Sequence, residues 1–135
     1  MSDPSEQRLS GRWFNQLGSC LDVIVDGDGR LTGTFLSLVG GEDAEHAVAG
    51  FFAPDSDGPD GTVGFAVSWH SAHSVTVWSG HYRHSDDAIF TTWLLSEASS
   101  SRVEWRSTSV GHDEFRRSPS QNRIAPWLAS SARYH

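Results

Sequence analysis

Short polar side chains alternate with aromatic ones in four separate stretches of this 135-residue sequence. The sets, each with a spacing of two residues, are Trp13, Asn15 and Leu17; Phe35 and Ser37; Ser74, Thr76 and Trp78; and Thr91, Trp93 and Leu95. On a strand, residues two apart share a face. Indole rings can wall an apolar site while hydroxyl and amide groups hold a ligand's heteroatoms, so the pattern predicts a small-molecule site.

Strand signals that could position these sets run through most of the chain, and no segment indicates a helix. Eight β-rich runs lie between turn-forming residues, at 11–17, 20–26, 30–38, 47–53, 62–70, 74–83, 88–96 and 102–110. Tight connections such as Gly27-Asp28-Gly29 imply antiparallel neighbours. The even spacing predicts an all-β fold, an eight-stranded antiparallel up-and-down β-barrel, with an open sandwich as the alternative.

Packing alone is the competing explanation for the aromatic residues. Taken singly, Trp69, Trp78 and Trp93 would more often be core residues, and Asp113 would more often lie in a turn. A barrel interior that only filled space would be mainly aliphatic, because a buried polar group without a partner costs about 1–3 kcal/mol. The polar neighbours therefore favour a binding cavity, whereas Trp13 is interpreted as core at the closed end.

Composition limits the chemistry available to the chain. The net charge is −7 and the acidic residues are spread along the sequence, which argues against a nucleic-acid or anionic-membrane partner. All ten basic residues are arginine, which excludes Schiff-base lysine chemistry and a P-loop lysine. Cys20 is the single cysteine, so an intrachain disulfide is impossible.

Length and local composition predict one domain. Residues 1–10 are expected to form a flexible N-terminal segment, 11–115 the barrel and 116–135 a C-terminal tail. The tail carries an apolar cluster at 124–128 that is expected to pack against a barrel. No signal-peptide pattern is found within residues 1–10.

Enzyme chemistry finds little support. His73-Ser74 and His112-Asp113 supply the residue types of a hydrolase, but no G-x-S-x-G elbow is present, and neighbours on a strand face opposite ways. His81 and His84 lack the spacing of a convincing metal site. No cofactor motif occurs, so we expect a binding protein without catalysis, metal or cofactor.

Five motifs, in order, resemble those of the avidin and streptavidin family. They are GRWFNQLGS at 11–19, LTGTF at 31–35, TVWSG at 76–80, TWLL at 92–95 and WRSTSVGHD at 105–113. The resemblance implies a barrel that binds biotin non-covalently. It also favours a secreted or periplasmic location and a homo-oligomer, a tetramer first and a dimer second.

The resemblance also implies residue roles. Asn15 and Ser19 would donate to the ureido oxygen of biotin, and Ser37 and Asp113 would accept from its two N–H groups. The remaining contacts would come from Leu17, Ala72 and Leu95 on the apolar wall, Trp69, Trp78 and Trp93 around the ring and chain, Thr76 at the sulfur, Ser74 at the carboxylate, and Val39 and Gly41 in the loop after the third strand. Trp105 would enter a neighbouring subunit's site.

Two departures from the family pattern are visible. Phe35 stands where the family usually has tyrosine, so one hydrogen bond to the ureido oxygen should be missing. Gly41 stands where streptavidin has an amide side chain that faces the carboxylate. Because of these changes, the first alternative is an avidin-like barrel that binds another small apolar ligand. The second alternative is a β-barrel protein-interaction or inhibitor module.

Overall fold

The computed structural model describes residues 9–37, 45–98 and 107–119, which form eight antiparallel strands. These are β1 Gly11–Phe14, β2 Cys20–Val25, β3 Arg30–Leu36, β4 Glu45–Pro54, β5 Gly61–Trp69, β6 Ser74–Arg83, β7 Ala88–Glu97 and β8 Thr108–Arg116. Each strand pairs with the next, and Phe14 of β1 pairs with Arg116 of β8 to close the barrel. The predicted all-β up-and-down barrel is confirmed, and the open sandwich is wrong.

The period-two alternation of the sequence determines which side chains point inward. In β5 the buried residues are Val63, Phe65, Val67 and Trp69, while Thr62 and Ser68 are exposed. Inward-facing residues of all eight strands form one core, with several aromatic rings at its centre. Burial of this apolar surface, at about 25 cal/mol per Å², is the main stabilising contribution to the barrel.

The two ends of the barrel differ in composition. We call the end at which β1, β3, β5 and β7 finish the mouth, and the opposite end the base. A 3₁₀ turn at His70–Ala72 joins β5 to β6 at the mouth, and His73 closes it in the left-handed conformation. At the base, Gly29 adopts a φ of +80° in the β2–β3 hairpin, as its Gly-Asp-Gly sequence predicts.

Residues on either side of the barrel strands seal the base. The indole N–H of Trp13 donates to the backbone oxygen of Leu9 at 2.7 Å, and Leu9 is fully buried. Arg117 stacks on the Trp13 ring, 3.7 Å from its centroid, and donates to the backbone oxygen of Ser10. Trp13 also meets Tyr82 edge-on, so it lies in the core at the base.

Three strand predictions need correction. β1 ends at Phe14 rather than at residue 17, because the Asn15 side chain bonds its own turn. β4 begins at Glu45, two residues earlier than expected. β8 extends to Arg116 rather than ending at residue 110, and Asp113 lies within it, not in a turn. The polar run 112–114 suggested a loop, yet Gly111, Asp113 and Phe115 continue the inward alternation.

Two further structural points bear on the sequence predictions. The part of the tail beyond residue 119, including the apolar cluster at 124–128, lies outside the described residues. Across the described ranges, no helix has the length and apolarity needed to cross a lipid bilayer.

Candidate ligand-binding site

Buried polar side chains gather inside the barrel toward the mouth. Five that were singled out from the sequence are at most 3% exposed: Asn15, Ser19, Ser37, Thr76 and Asp113. They come from the β1–β2 turn, the end of β3, and the strands β6 and β8. Interior polar groups are expensive unless they are hydrogen-bonded or serve a ligand. Their convergence therefore marks the candidate site.

Asn15 is held rigidly by its own turn. Its side-chain oxygen accepts the backbone N–H groups of Leu17 and Ser19, each at 3.0 Å. Its backbone oxygen also accepts from Gly18, whose φ of +84° needs a glycine. The amide nitrogen Nδ2 is buried, and among the described residues it has no hydrogen-bond partner. Asn15 therefore offers a fixed, desolvated donor inside the barrel.

Asp113 is the only carboxyl group among the buried residues that the structure describes. Its Oδ2 accepts the indole N–H of Trp78 at 2.8 Å, and its Oδ1 accepts the side-chain amide of Gln16 at 2.6 Å. Thr91 donates to the backbone oxygen of the same residue at 2.9 Å. An ionised carboxylate can accept several hydrogen bonds on each side, so this group could also accept from a ligand.

Aromatic rings form the wall beside these polar groups. Phe35 lies between Trp69 and Trp78, with ring centroids 5.7 Å and 5.2 Å away. Trp78 stacks on Phe65 at 5.0 Å, and Trp93 is its direct partner across β6 and β7. The wall is therefore continuous from β3 across β5 and β6 to β7.

Thr76 connects the wall to the polar groups. Its hydroxyl oxygen accepts the indole N–H of Trp69 at 2.7 Å, which fixes the ring plane of that residue. The hydroxyl hydrogen of Thr76 can still rotate toward an acceptor. Leu95, the cross-strand partner of Thr76, adds an apolar surface on the same face.

The predicted rim residues are more varied. Leu17 and Ser74 are half-buried at the mouth. Ala72 lies on the 3₁₀ turn and is exposed, so it lies at the rim and not in a closed wall. Val39, Gly41 and Trp105 lie outside the described residues.

Two residues near the site were missed by the sequence analysis. If β1 had continued to residue 17 as predicted, Gln16 would have faced outward. Because β1 ends at Phe14, this alternation does not apply, and Gln16 is buried against β8. His46 is paired with Phe35 across β3 and β4, so it shares the inward face, and its ring packs edge-on against Trp69 at 4.8 Å. The alternation through Val48 could have indicated His46, whereas no local signal indicates Gln16.

Comparison with known proteins agrees with this architecture. A sequence model described as the Avidin family matches residues 3–118, most of the chain. The chain belongs to the avidin family. It is 32% identical over 117 residues to Avidin-related protein 4/5 of Gallus gallus, covering 81% of this chain and 77% of the relative. Avidin-related proteins 2 and 1 of the same organism are 29% and 28% identical over the same shares.

The side chains of His112 and Asp113 point to opposite sides of the sheet in this avidin-family barrel. His112 is exposed on the outer face of β8, where its ring nitrogen Nδ1 lies 3.2 Å from the Thr92 hydroxyl. Asp113 points inward from the next position. A direct contact between these two side chains would need one of them to cross the sheet.

Cys20 and Asp60, which are not part of the buried polar cluster, have shifted pKa values. Burial raises the pKa of the Cys20 thiol; nearby Arg12 partly offsets this by lowering the pKa, and the Asp22 and Glu45 carboxylates raise it further. The thiol is therefore protonated near neutral pH, and thiolate chemistry is suppressed. At the base, the backbone N–H of His84 and the Arg83 guanidinium lower the pKa of the Asp60 carboxyl.

Proposed function

We propose that this chain binds biotin non-covalently at the mouth of the barrel, without catalysis and without a cofactor. The observation that carries the proposal is the buried Nδ2 of Asn15, a fixed donor that has no acceptor among the described residues. A ureido oxygen is a strong acceptor that would satisfy it. Family membership supports the same ligand class.

The polar groups match the ureido ring of biotin. In the proposed complex, Asn15 and Ser19 donate to the ureido oxygen, and Ser37 and Asp113 accept from its two N–H groups. An ionised Asp113 would make the stronger, charge-assisted bond of the two. The supporting observation is that donors and acceptors are buried toward the same end of the barrel.

The apolar groups match the rest of the ligand. Trp69, Trp78 and Trp93 would enclose the fused rings and the chain, and the Phe35 ring would lie beside the ureido oxygen. The remaining proposed contacts are Leu17, Leu95 and Ala72 on the wall and rim, Thr76 at the sulfur, Ser74 at the carboxylate, and Val39 and Gly41 in the loop after β3.

Calorimetric titration with biotin tests the proposal directly. We expect saturable heat at micromolar protein, with a change in intrinsic fluorescence because wall tryptophans lose water on binding. Lipoic acid is a matched control, since it has a similar carboxylate chain and a sulfur ring but no ureido group. Biotin binding without lipoic acid binding supports the ureido assignment, and no heat with biotin would contradict the proposal.

Another small apolar ligand is the second candidate. Phe35 favours it, because a phenyl ring offers the ligand no hydrogen bond at that position. Lipoic acid binding equal to or tighter than biotin binding would select this candidate. An interaction module that uses only the barrel exterior fits less well, because it has no use for the buried polar cluster.

We also propose that the chain assembles as a homo-oligomer, a tetramer first and a dimer second. Val77, Leu94 and Val110 are neighbours across β6, β7 and β8 on the outer face, and they remain 45%, 51% and 63% exposed. An open groove of about 710 Å³ continues along the same outer face of the barrel toward Phe51 and Phe90. Exposed apolar side chains that cluster in this way are typical of subunit contacts.

In that assembly, Trp105 would complete a neighbouring subunit's site. Light scattering with and without biotin tests the assembly, and Trp105→Ala tests the contribution across the interface. A monomer with full biotin affinity would contradict both.

A further inference from the structure

Gln16 lies where the barrel is least completely paired. β1 and β8 share one backbone pair, Phe14 with Arg116, because β1 ends at Phe14. Immediately beyond that pair, the side-chain amide of Gln16 meets the β8 backbone. Its Oε1 accepts the Glu114 N–H at 3.1 Å, and its Nε2 lies 3.3 Å from the His112 oxygen.

These bonds make the Gln16 amide a substitute for the missing strand residue. A residue of β1 would offer one acceptor and one donor to β8, and the side-chain amide offers the same two groups. If the amide were rotated by half a turn, its N–H would face the Glu114 N–H and its oxygen would face the Asp113 carboxylate. The hydrogen-bond partners therefore allow only the orientation described above. Gln16 is buried, which protects the bonds from water.

The same nitrogen also holds the carboxylate of the candidate site. Nε2 of Gln16 donates to Oδ1 of Asp113 at 2.6 Å, and the Trp78 indole donates to Oδ2 at 2.8 Å. The terminal torsion of an aspartate is broad, so two donors on opposite oxygens are what restrict its rotation. A carboxylate held in this way does not need to be ordered when a ligand binds.

We propose that Gln16 is a positioning residue that orients the Asp113 carboxylate toward the ligand while it closes the β1–β8 seam. The proposal rests on the proposed function, in which Asp113 accepts a hydrogen bond from a ligand N–H. Gln16 itself contacts no ligand. It affects binding by orienting the Asp113 carboxylate, and it affects stability by hydrogen bonding to the β8 backbone.

Two substitutions separate these effects. Gln16→Met removes both polar groups and keeps a similar length. Gln16→Glu keeps an oxygen for the Glu114 N–H but replaces the donor to Asp113 with a second carboxylate oxygen. We expect each to raise the Kd for biotin about 10- to 100-fold at neutral pH, the effect of one lost hydrogen bond to a charged group.

A pH profile distinguishes positioning from general damage. As the pH falls, the carboxyl introduced by Gln16→Glu can take up a proton and then donate a hydrogen bond to the Asp113 carboxylate, as the Gln16 amide does. Affinity of Gln16→Glu should therefore recover toward the wild-type value in acid, whereas Gln16→Met should show no recovery. Arg117→Ala, at the base, is the stability control, since it should lower Tm without changing Kd.

Ligand-free protein provides a readout that does not depend on biotin binding. In a ¹⁵N–¹H spectrum, the Trp78 indole resonance should shift or broaden in Gln16→Met, because its acceptor Asp113 is no longer fixed. The Trp13 indole, which donates to Leu9, should stay unchanged. An unchanged Trp78 resonance would overturn the proposal whether or not wild-type protein binds biotin.

The outcomes are therefore distinguishable. If wild-type protein binds no biotin but Trp78 responds selectively, the proposed function fails and the positioning of Asp113 by Gln16 stands. If wild-type protein binds biotin and Gln16→Met binds it equally well, the positioning role fails and the proposed function stands.

Discussion

Trp78 and Asp113 are joined across the barrel by a 2.8 Å hydrogen bond from the indole nitrogen to Oδ2, although they lie 35 positions apart in the sequence. One is an aromatic wall residue and the other is the buried carboxylate of the site. Because Trp78 also stacks on Phe65, the indole cannot turn without disturbing the core. The wall and the polar anchor therefore form a single rigid unit.

The first prediction concerns Asp113. Replacement by Ala should weaken biotin binding by about 1.5–3 kcal/mol, the range for a hydrogen bond to a charged group. Calorimetry of both proteins measures the difference. Asp113→Asn is the matched control, because it keeps the shape and one acceptor oxygen and should lose less. Unchanged affinity in Asp113→Ala would mean that this carboxylate does not contact the ligand.

The second prediction concerns Phe35. Phe35→Tyr should strengthen biotin binding by about 0.5–1.5 kcal/mol, because the new hydroxyl can donate to the buried ureido oxygen. Most of the gain should appear as slower dissociation, measured by displacement of bound biotin. Phe35 is fully buried between two indoles, so the added oxygen needs space. Weaker binding would show that the ring is required for packing.

The third prediction concerns the base of the barrel. Arg117→Ala should lower the free energy of unfolding by about 1–2 kcal/mol, through loss of the stacking contact with Trp13 and of the partly exposed ion pair with Asp87. Arg117→Lys should recover only part of this, since an ammonium lacks the planar guanidinium. Denaturant titration measures both. A stability equal to wild type in Arg117→Ala would show that the stacking contributes nothing.

The fourth prediction concerns pH and Asp60. Because the Asp60 carboxylate accepts the His84 backbone N–H at 2.8 Å, its pKa in the folded protein is lowered. Its stabilising contribution is therefore complete above the ordinary aspartate pKa of about 4 and is lost as pH falls through the lowered folded value. The Tm difference between wild type and Asp60→Ala should stay constant from about pH 7 to 5 and shrink below about pH 4.

Asp60→Asn is the control for this titration. It keeps an oxygen for the His84 N–H but has no charge, so its Tm relative to Asp60→Ala should not depend on pH in the acid range. A wild-type advantage that persists unchanged below about pH 3 would contradict the assigned cause.

Local patterns determined much of the barrel before any contact was known. Alternation along a strand depends only on backbone geometry, so the inward faces of β3, β6 and β7 could be read from Phe35, Trp78 and Trp93. The Gly-Asp-Gly hairpin was equally predictable, because left-handed turns need glycine. For the same reason, the strands could be predicted from local patterns, whereas the roles of Ser19 and Asp113 were implied by the family resemblance.

Only the tertiary structure decided what these residues do together. Gln16 looked like an outward-facing neighbour of Asn15, yet it binds Asp113, which lies 97 positions away in the chain. Asp113 itself looked like a turn residue, because its neighbours in the sequence are polar. The strand that contains it is recognised only from its pairing with β7, which joins residues far apart in the chain. The sequence by itself determined which face each strand buries, since that depends on adjacent residues. Closure of the barrel determined which buried groups meet, since hydrogen bonds across the seam join the two ends of the fold.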